Sequence, residues 1–316
     1  GFSVTADDGF SESDIGTINV SVSDSPLISL DFVARQPSLQ LGQWLSLQLK
    51  GDFADQAGVI LPASYLSFGS TNPVSGSIDS SGRFLGIASG YGAVTARHGD
   101  VLAATAFMVG EPVDSFDQQL LLTPLFVYPT AVTLVAAGGT RNILLGALNT
   151  DVTAASSGTL YFTGNNKVIQ VTADGHMVGL DPGVTTVTAV YHMQEARIPV
   201  KVVVPTVGAA SIGSDGGAVM GDGGQILAIG PGALDGDINV SIHSADVSTF
   251  GLPMLPADDG WKFGAAFHLD LGGKDLNVPA QIAIPTPDLE PGSEVFFYRA
   301  VDIPDESGTF VRAWDE

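Results

Sequence analysis

The chain has 316 residues, no cysteine, and 34 acidic against 12 basic side chains, a formal net charge of −22. Acidity on this scale argues against nucleic acid and anionic membranes as partners, since both need clustered Lys and Arg. The lack of cysteine excludes a disulfide framework and thiol chemistry. With 39 Gly, 18 Pro and no long helical periodicity, the composition predicts an all-β chain of short strands and turns, long enough for two to four domains.

Residues 1–24 alternate on either side of Asp7-Asp8-Gly9, which predicts a hairpin whose second strand runs through Ile18-Asn19-Val20-Ser21-Val22. This stretch resembles the last hairpin of a bacterial cadherin-like domain. The carboxylates of Asp7, Asp8 and Asp14, with Glu12, are hard oxygen ligands at a loop spacing suited to calcium. Acidic turn residues are also ordinary turn chemistry, and the EF-hand pattern is missing. Solvated turns are therefore the first reading and calcium the alternative, at Asp7, Asp8 and Asp14 or at junctions near Asp24 and Asp31, and no cofactor is required.

Residues 25–112 and 125–205 are the same unit written twice. Asn72, Gly82, Gly86 and Gly90 match Asn165, Gly175, Gly179 and Gly183 at an offset of 93 residues. A period of that length marks an array of domains, because one domain needs about 100 residues to bury a core. Within each unit, alternation around Asp79-Ser80-Ser81-Gly82 and Thr172-Ala173-Asp174-Gly175 predicts strand, tight turn, strand. Val94 and Ala96 are replaced by Val187 and Ala189, so one apolar face is expected to be buried in both. Leu45, Leu47 and Leu49 predict a half-buried strand, and Trp44 beside it a core or rim anchor.

Taken together, Ser70-Thr71-Asn72-Pro73, Asp79-Ser80-Ser81-Gly82, Gly86, Ser89-Gly90 and Val94-Thr95-Ala96 resemble the group 2 bacterial immunoglobulin-like domain. That family, also found in intimin- and invasin-like surface proteins, implies tandem β-sandwiches in a rod, on an extracellular or cell-surface protein. The second unit departs from the family pattern, with Gly164-Asn165-Asn166 where the first has Thr71-Asn72-Pro73.

Residues 113–124 are expected to be a linker. Leu120 to Ala137 carries no charge over 18 residues, close to a spanning length, but its prolines and threonines break an apolar helix. From 206 to 316 the pattern changes. Gly216-Gly217-Ala218-Val219, the run Ile226 to Leu234, Phe263 to Leu271 and the closing Pro279 to Pro285 resemble a ZU5-type β-sandwich, a module of protein–protein contact. Val295 to Arg299 and Phe310 to Trp314 are expected as two more strands. Gly1 follows no basic-then-apolar leader, and both ends read as cut short, so the chain is expected to be a mature form or an excised piece.

Signals for chemistry are few. His98, His176, His192, His243 and His268 form no zinc-type pair, and His98 and His192 are expected as exposed strand-end residues. Gly221-Asp222-Gly223-Gly224 lacks the Lys-Ser/Thr of a phosphate loop. The acid pairs Asp235/Asp237, Asp258/Asp259 and Asp305/Glu306 lie among polar residues with nothing to raise a pKa, as solvated turns do. No catalytic residue is expected. The leading expectation is a structural spacer or filament-forming segment that meets protein partners, by head-to-tail self-association or through other domains of a longer chain. The alternatives are an adhesin with a recognition face on the ZU5-like domain and a non-catalytic part of a large exoenzyme.

Overall fold

The computed structural model describes residues 2–18, 24–112, 114–252, 263–286, 288–290, 292–304 and 306–315. Its regular structure is nearly all β, and the two repeats are immunoglobulin-like sandwiches with one plan. In the first, Ser38–Leu39, Val101–Val109, Gly90–His98 and Ser67–Ser70 form a four-stranded sheet in that order. A second sheet holds Trp44–Ser46, Arg83–Gly86 and Gly76–Ile78, and a third Leu27–Phe32, Leu49–Phe53 and Val59–Leu61. The second repeat has the same three sheets. They are Val132–Val135, Gln194–Val203, Gly183–Tyr191 and Leu160–Thr163; Thr140–Asn142, His176–Gly179 and Ile169–Val171; and Phe126–Tyr128, Leu144–Ala147 and Thr150–Asp151.

The paired glycines explain why the plan repeats. Gly82 and Gly175 both sit at φ +78°, where a side chain would clash with its own backbone. Gly92 lies against the Phe107 ring, 3.0 Å from where its own Cβ would be, so that ring fills the space between the sheets. Val94, Ala96, Val187 and Ala189 are all fully buried, as the alternation predicts. Phe84 and Phe107 meet edge to face at 4.9 Å in the first core, and burying each ring contributes about 1.5–3 kcal/mol.

Two local expectations change. The run Leu45–Leu49 is not one strand: it leaves the sheet of Trp44–Ser46 and enters that of Leu49–Phe53, while its leucines keep facing one core. The expected linker 113–124 contains a helix, Ser115–Leu122, started by the Asp114 carboxylate accepting from Asp117 N at 2.8 Å. Leu120 of that helix is fully buried, which is why the stretch folds back onto the repeats.

Beyond residue 205, Thr206–Val207, Gly217–Met220, Ile226–Ile229 and Gln281–Ala283 form one sheet; Ala210–Ile212, Ile238–Ser244 and Phe267–Asp270 form another. Val219, Leu227, Ile229, Val240 and Ile242 are buried in this third unit. Two hairpins make sheets of their own, Phe2–Val4 with Gly16–Ile18 and Arg299–Pro304 with Phe310–Asp315. The expected strand at Val295 begins only at Arg299. The expected strand residues Asn19 to Val22, the pair Asp258/Asp259, and Asp305 lie outside the described residues.

Candidate functional site

Among the described residues a dense set of polar contacts lies where the two repeats meet. Strand Val101–Val109 pairs with Gly90–His98 on one side, but on the other Ser38–Leu39 reaches only Met108 and Val109. The rest of that edge would face water with bare backbone groups. The second repeat and one loop of the first cover it instead. Asn166 N donates to Asp100 O at 3.2 Å, and Leu102 N donates to Gly164 O at 2.9 Å. The Arg35 guanidinium donates to Ala104 O, and Ala106 N donates to the Glu195 carboxylate at 2.8 Å.

Glu195 is the centre of this seam. Its side chain is 7% exposed, pairs with Arg35, and also accepts from Thr105 Oγ1 at 3.0 Å. Arg35 in turn pairs with Asp31, which Arg197 approaches at 3.3 Å. A buried carboxylate is costly unless every lone pair is met. Here a guanidinium, a hydroxyl and a backbone amide meet them. Beneath the charges, Ala93 and Ala106 pack on Val190 and Phe162, so the outer faces of the two four-stranded sheets are in direct contact. A cleft of about 320 Å³ opens beside this seam, lined among others by Asp31, Arg35, Lys50, Asp52, Phe162 and Arg197. Lys167 and Asp100 close its neighbourhood with an exposed pair at 3.0 Å.

A second cluster fastens the helix. Asp117 is buried and meets His192 Nδ1 at 2.7 Å; His192 stacks on Tyr91 of the first repeat with ring centroids 4.3 Å apart. Gln194 donates to Leu120 O at 3.1 Å. Burial, and then the nearby Asp117 carboxylate, push the Tyr91 and Tyr191 hydroxyls up. The expectation of an exposed His192 is therefore corrected: it is a half-buried bridge between helix and repeats. His98 is likewise engaged, stacked on Tyr65 at 3.8 Å. The third unit joins the second repeat elsewhere, through Thr133 Oγ1 to Ile229 O at 2.7 Å and Lys201 Nζ to Gly216 O at 2.9 Å.

The residues singled out by the sequence lie away from this seam. Asp7 and Asp8 accept from the backbone N–H groups of Gly9, Phe10 and Ser11 in the hairpin turn, and Asp14 is exposed. These backbone donors hold the Asp8 carboxyl below its usual range. Among the described residues no group of three or more His, Cys, Asp or Glu is placed to hold a metal ion. Trp44 is a rim residue, 48% exposed with the Arg83 guanidinium 4.4 Å above its ring. Glu195, Arg35 and Asn166 were missed because each is ordinary in its own stretch. One signal was available: Asn166 stands where the first repeat has Pro73, and proline has no N–H to give Asp100.

No protein-family model matches the chain, and no curated protein does. Among solved structures, domains 4 and 5 of the S-layer protein SbsC align at 22% identity over 50% of this chain and 82% of that one, with a TM-score of 0.22. SbsC domains 4–9 align at 19% identity over 81% and 43% of the two chains, with a TM-score of 0.24. The C-terminal 282-residue fragment of intimin, solved with the intimin-binding domain of its translocated receptor, aligns at 14% identity over 60% and 66%, with a TM-score of 0.20. Overlaps this low carry nothing about activity or partner. No helix among the described residues is long and apolar enough to cross a membrane.

Proposed function

We propose that this chain is a structural segment, a spacer or filament-building stretch, of a secreted or surface-anchored bacterial protein. The observation that supports it is the seam around Glu195. The chain has 12 basic side chains, and two of them, Arg35 and Arg197, lie between the repeats, where they fix one domain against the next. In this reading the repeats are group 2 bacterial immunoglobulin-like domains, the hairpin at 2–18 is cadherin-like and the third unit is ZU5-like. The partners are protein, through head-to-tail self-association or further domains, and the chain performs no catalysis. Small-angle scattering on the intact chain tests the reading. A single rigid envelope, unchanged from low to physiological salt, is expected. A broad distribution of inter-repeat angles would defeat it.

An adhesive role is the second reading, with its recognition face on the ZU5-like third unit, where Phe263, Phe297 and Phe310 are exposed; the second repeat offers a smaller aromatic pair. Phe126 and Tyr128 share one face of a strand and are 59% and 36% exposed. Replacing the three phenylalanines of the third unit with Ser should abolish retention on a target surface if adhesion is the role, and leave scattering unchanged. Calcium at Asp7, Asp8 and Asp14 belongs to the same proposal, as a stiffener of the N-terminal hairpin. A melting temperature indifferent to calcium and to chelator rules it out, since a ligand of the native state must stabilise it.

A further inference from the structure

We propose that the outer edge of strand Val101–Val109 is a strand-pairing surface, which the second repeat occupies within the chain and which, once released, pairs with the same edge of a second copy. Three observations carry this. First, the strand reads Val-Leu-Ala-Ala-Thr-Ala-Phe-Met-Val, without a charge, a proline or a glycine. Uncharged β-prone strands with open edges are the ones that join other chains. Second, every cover on the edge from Asp100 to Ala106 is a substitute for a missing strand. Gly164 O and Asn166 N act as a short piece of antiparallel partner, with Val101 bridged to Asn165. Glu195 and Arg35 supply one further acceptor and one further donor with side chains. Third, the equivalent strand of the second repeat, Gln194–Val203, protects itself. It carries Glu195, Arg197 and Lys201, and Pro199 stands at the position of Ala106. Charges and proline on an edge are how proteins prevent such pairing.

The occupant is a second copy because an uncharged edge is self-complementary: two antiparallel strands related by a two-fold axis present each donor to the other's acceptor. The turn at 164–167 can be loosened without breaking its own repeat. Asn165 O accepts from Val168 N and Ile169 N, as Asn72 O accepts from Ser75 N and Gly76 N beside Pro73. Proline is thus compatible with this turn and removes only the donor to Asp100.

The test uses the whole chain. Asn166→Pro combined with Glu195→Ala removes the donor to Asp100 O and the acceptor of Ala106 N and so frees the edge; Asn166→Ala, which keeps the N–H, is the control. At concentrations where the parent chain is monomeric, sedimentation equilibrium of the released variant should rise with concentration from 32.5 kDa toward twice that mass, while the control stays monomeric. Higher salt should favour the dimer by screening the charge of −22 on each copy. Adding Ala106→Pro, the residue of the second repeat, should return it to monomer. At high dilution the Ala106 amide should exchange about tenfold faster than in the parent, the factor one lost hydrogen bond allows. A released variant that stays at 32.5 kDa, with its first-repeat core still protected, overturns the proposal. Should the double variant unfold, Glu195→Ala alone decides: faster exchange at Ala106 with no self-association at any concentration also overturns it.

Discussion

Two strands hold the same place in the two repeats, Val101–Val109 and Gln194–Val203, each second in its four-stranded sheet behind a short edge strand. In the second repeat Val132–Val135 pairs with four residues of its partner, and charges and Pro199 cover what is left. In the first, Ser38–Leu39 pairs with only two, and the following repeat together with Arg35 does the rest. The same fold thus solves one edge problem with its own sequence and the other with its neighbour. The lesson is that tandem domains with matching cores need not be interchangeable: exchanging the repeats would leave one edge bare and set Pro73 and Val74 where Asn166 and Lys167 now bind.

The largest expected contrast lies in the cores behind these strands. Phe107 is fully buried and fills the space that Gly76 and Gly92 leave; the second repeat has Val200 in its place. Phe107→Ala should destabilise the first repeat by about 3–5 kcal/mol. Val200→Ala removes fewer buried groups and should cost clearly less. Urea unfolding followed by amide exchange in each repeat separates the two, and equal losses would show that the cores are not built differently.

Next comes the seam itself. Glu195→Ala strips Arg35, Thr105 and Ala106 N of one shared acceptor, and losing one partner of a buried pair costs about 3–5 kcal/mol at the upper end. Partial exposure of Arg35 discounts this to about 2–3 kcal/mol. The distinctive expectation is where the loss falls: a substitution in the second repeat should destabilise the first. A double-mutant cycle with Arg35→Met should show coupling between them. Independent, additive losses confined to the second repeat would break the comparison.

How far the sequence alone reaches is clear from these same residues. The sandwich plan was legible because turns need glycine at fixed places, and Gly82 and Gly175 are read without knowing any partner. Core faces were legible because alternation has period two, so Val94 and Val187 point inward on local grounds. The seam was not. Arg35 and Glu195 are 160 residues apart, and a charged residue on a strand looks the same whether solvent or another domain faces it. The helix at Ser115–Leu122 was missed because an eight-residue segment shows too little periodicity, and docking of Leu120, not propensity, makes it helical. Only the exchange of Pro73 for Asn166 left a mark that sequence comparison of the repeats could have weighed.

A smaller effect is expected at the turn that meets the edge. A Cβ on Gly164 would lie 2.8 Å from Thr185 Oγ1 and 2.9 Å from Thr186 O, and the latter is backbone and cannot swing away. Gly164→Ala should therefore cost about 1–3 kcal/mol and push the turn off Leu102. At the equivalent site Thr71 already carries a side chain, whose hydroxyl accepts from Ala93 N at 2.8 Å, so Thr71→Ala should lose only about 1 kcal/mol. Faster exchange of the Leu102 amide in the first variant and not in the second is the outcome to look for.

The smallest contrast is in acid. Asp52, on the cleft side of the first repeat, accepts from the Ser29 hydroxyl at 2.6 Å and from Gly58 N at 2.8 Å. The hydroxyl first, and then the amide, hold its carboxyl below the usual value of 3.8. A carboxyl lowered on folding adds stability that is fully present above its ordinary value and is lost as the pH falls through the lowered one. The second repeat has Leu148 at the corresponding place; its own lowered carboxyl, Asp151, is held by the Thr153 hydroxyl and amide, so a change at Ser29 acts on the first repeat alone. Below pH 3.8 the first repeat should lose stability in the parent, and Ser29→Ala should flatten that loss by raising the carboxyl back toward its ordinary range. Amide exchange of Val94 and Ala96 against Val187 and Ala189 across this pH window reports each repeat separately. If the variant's acid profile in the first repeat matched the parent's, the Ser29 hydroxyl would have no part in holding Asp52, and the acid contrast between the repeats would need another source.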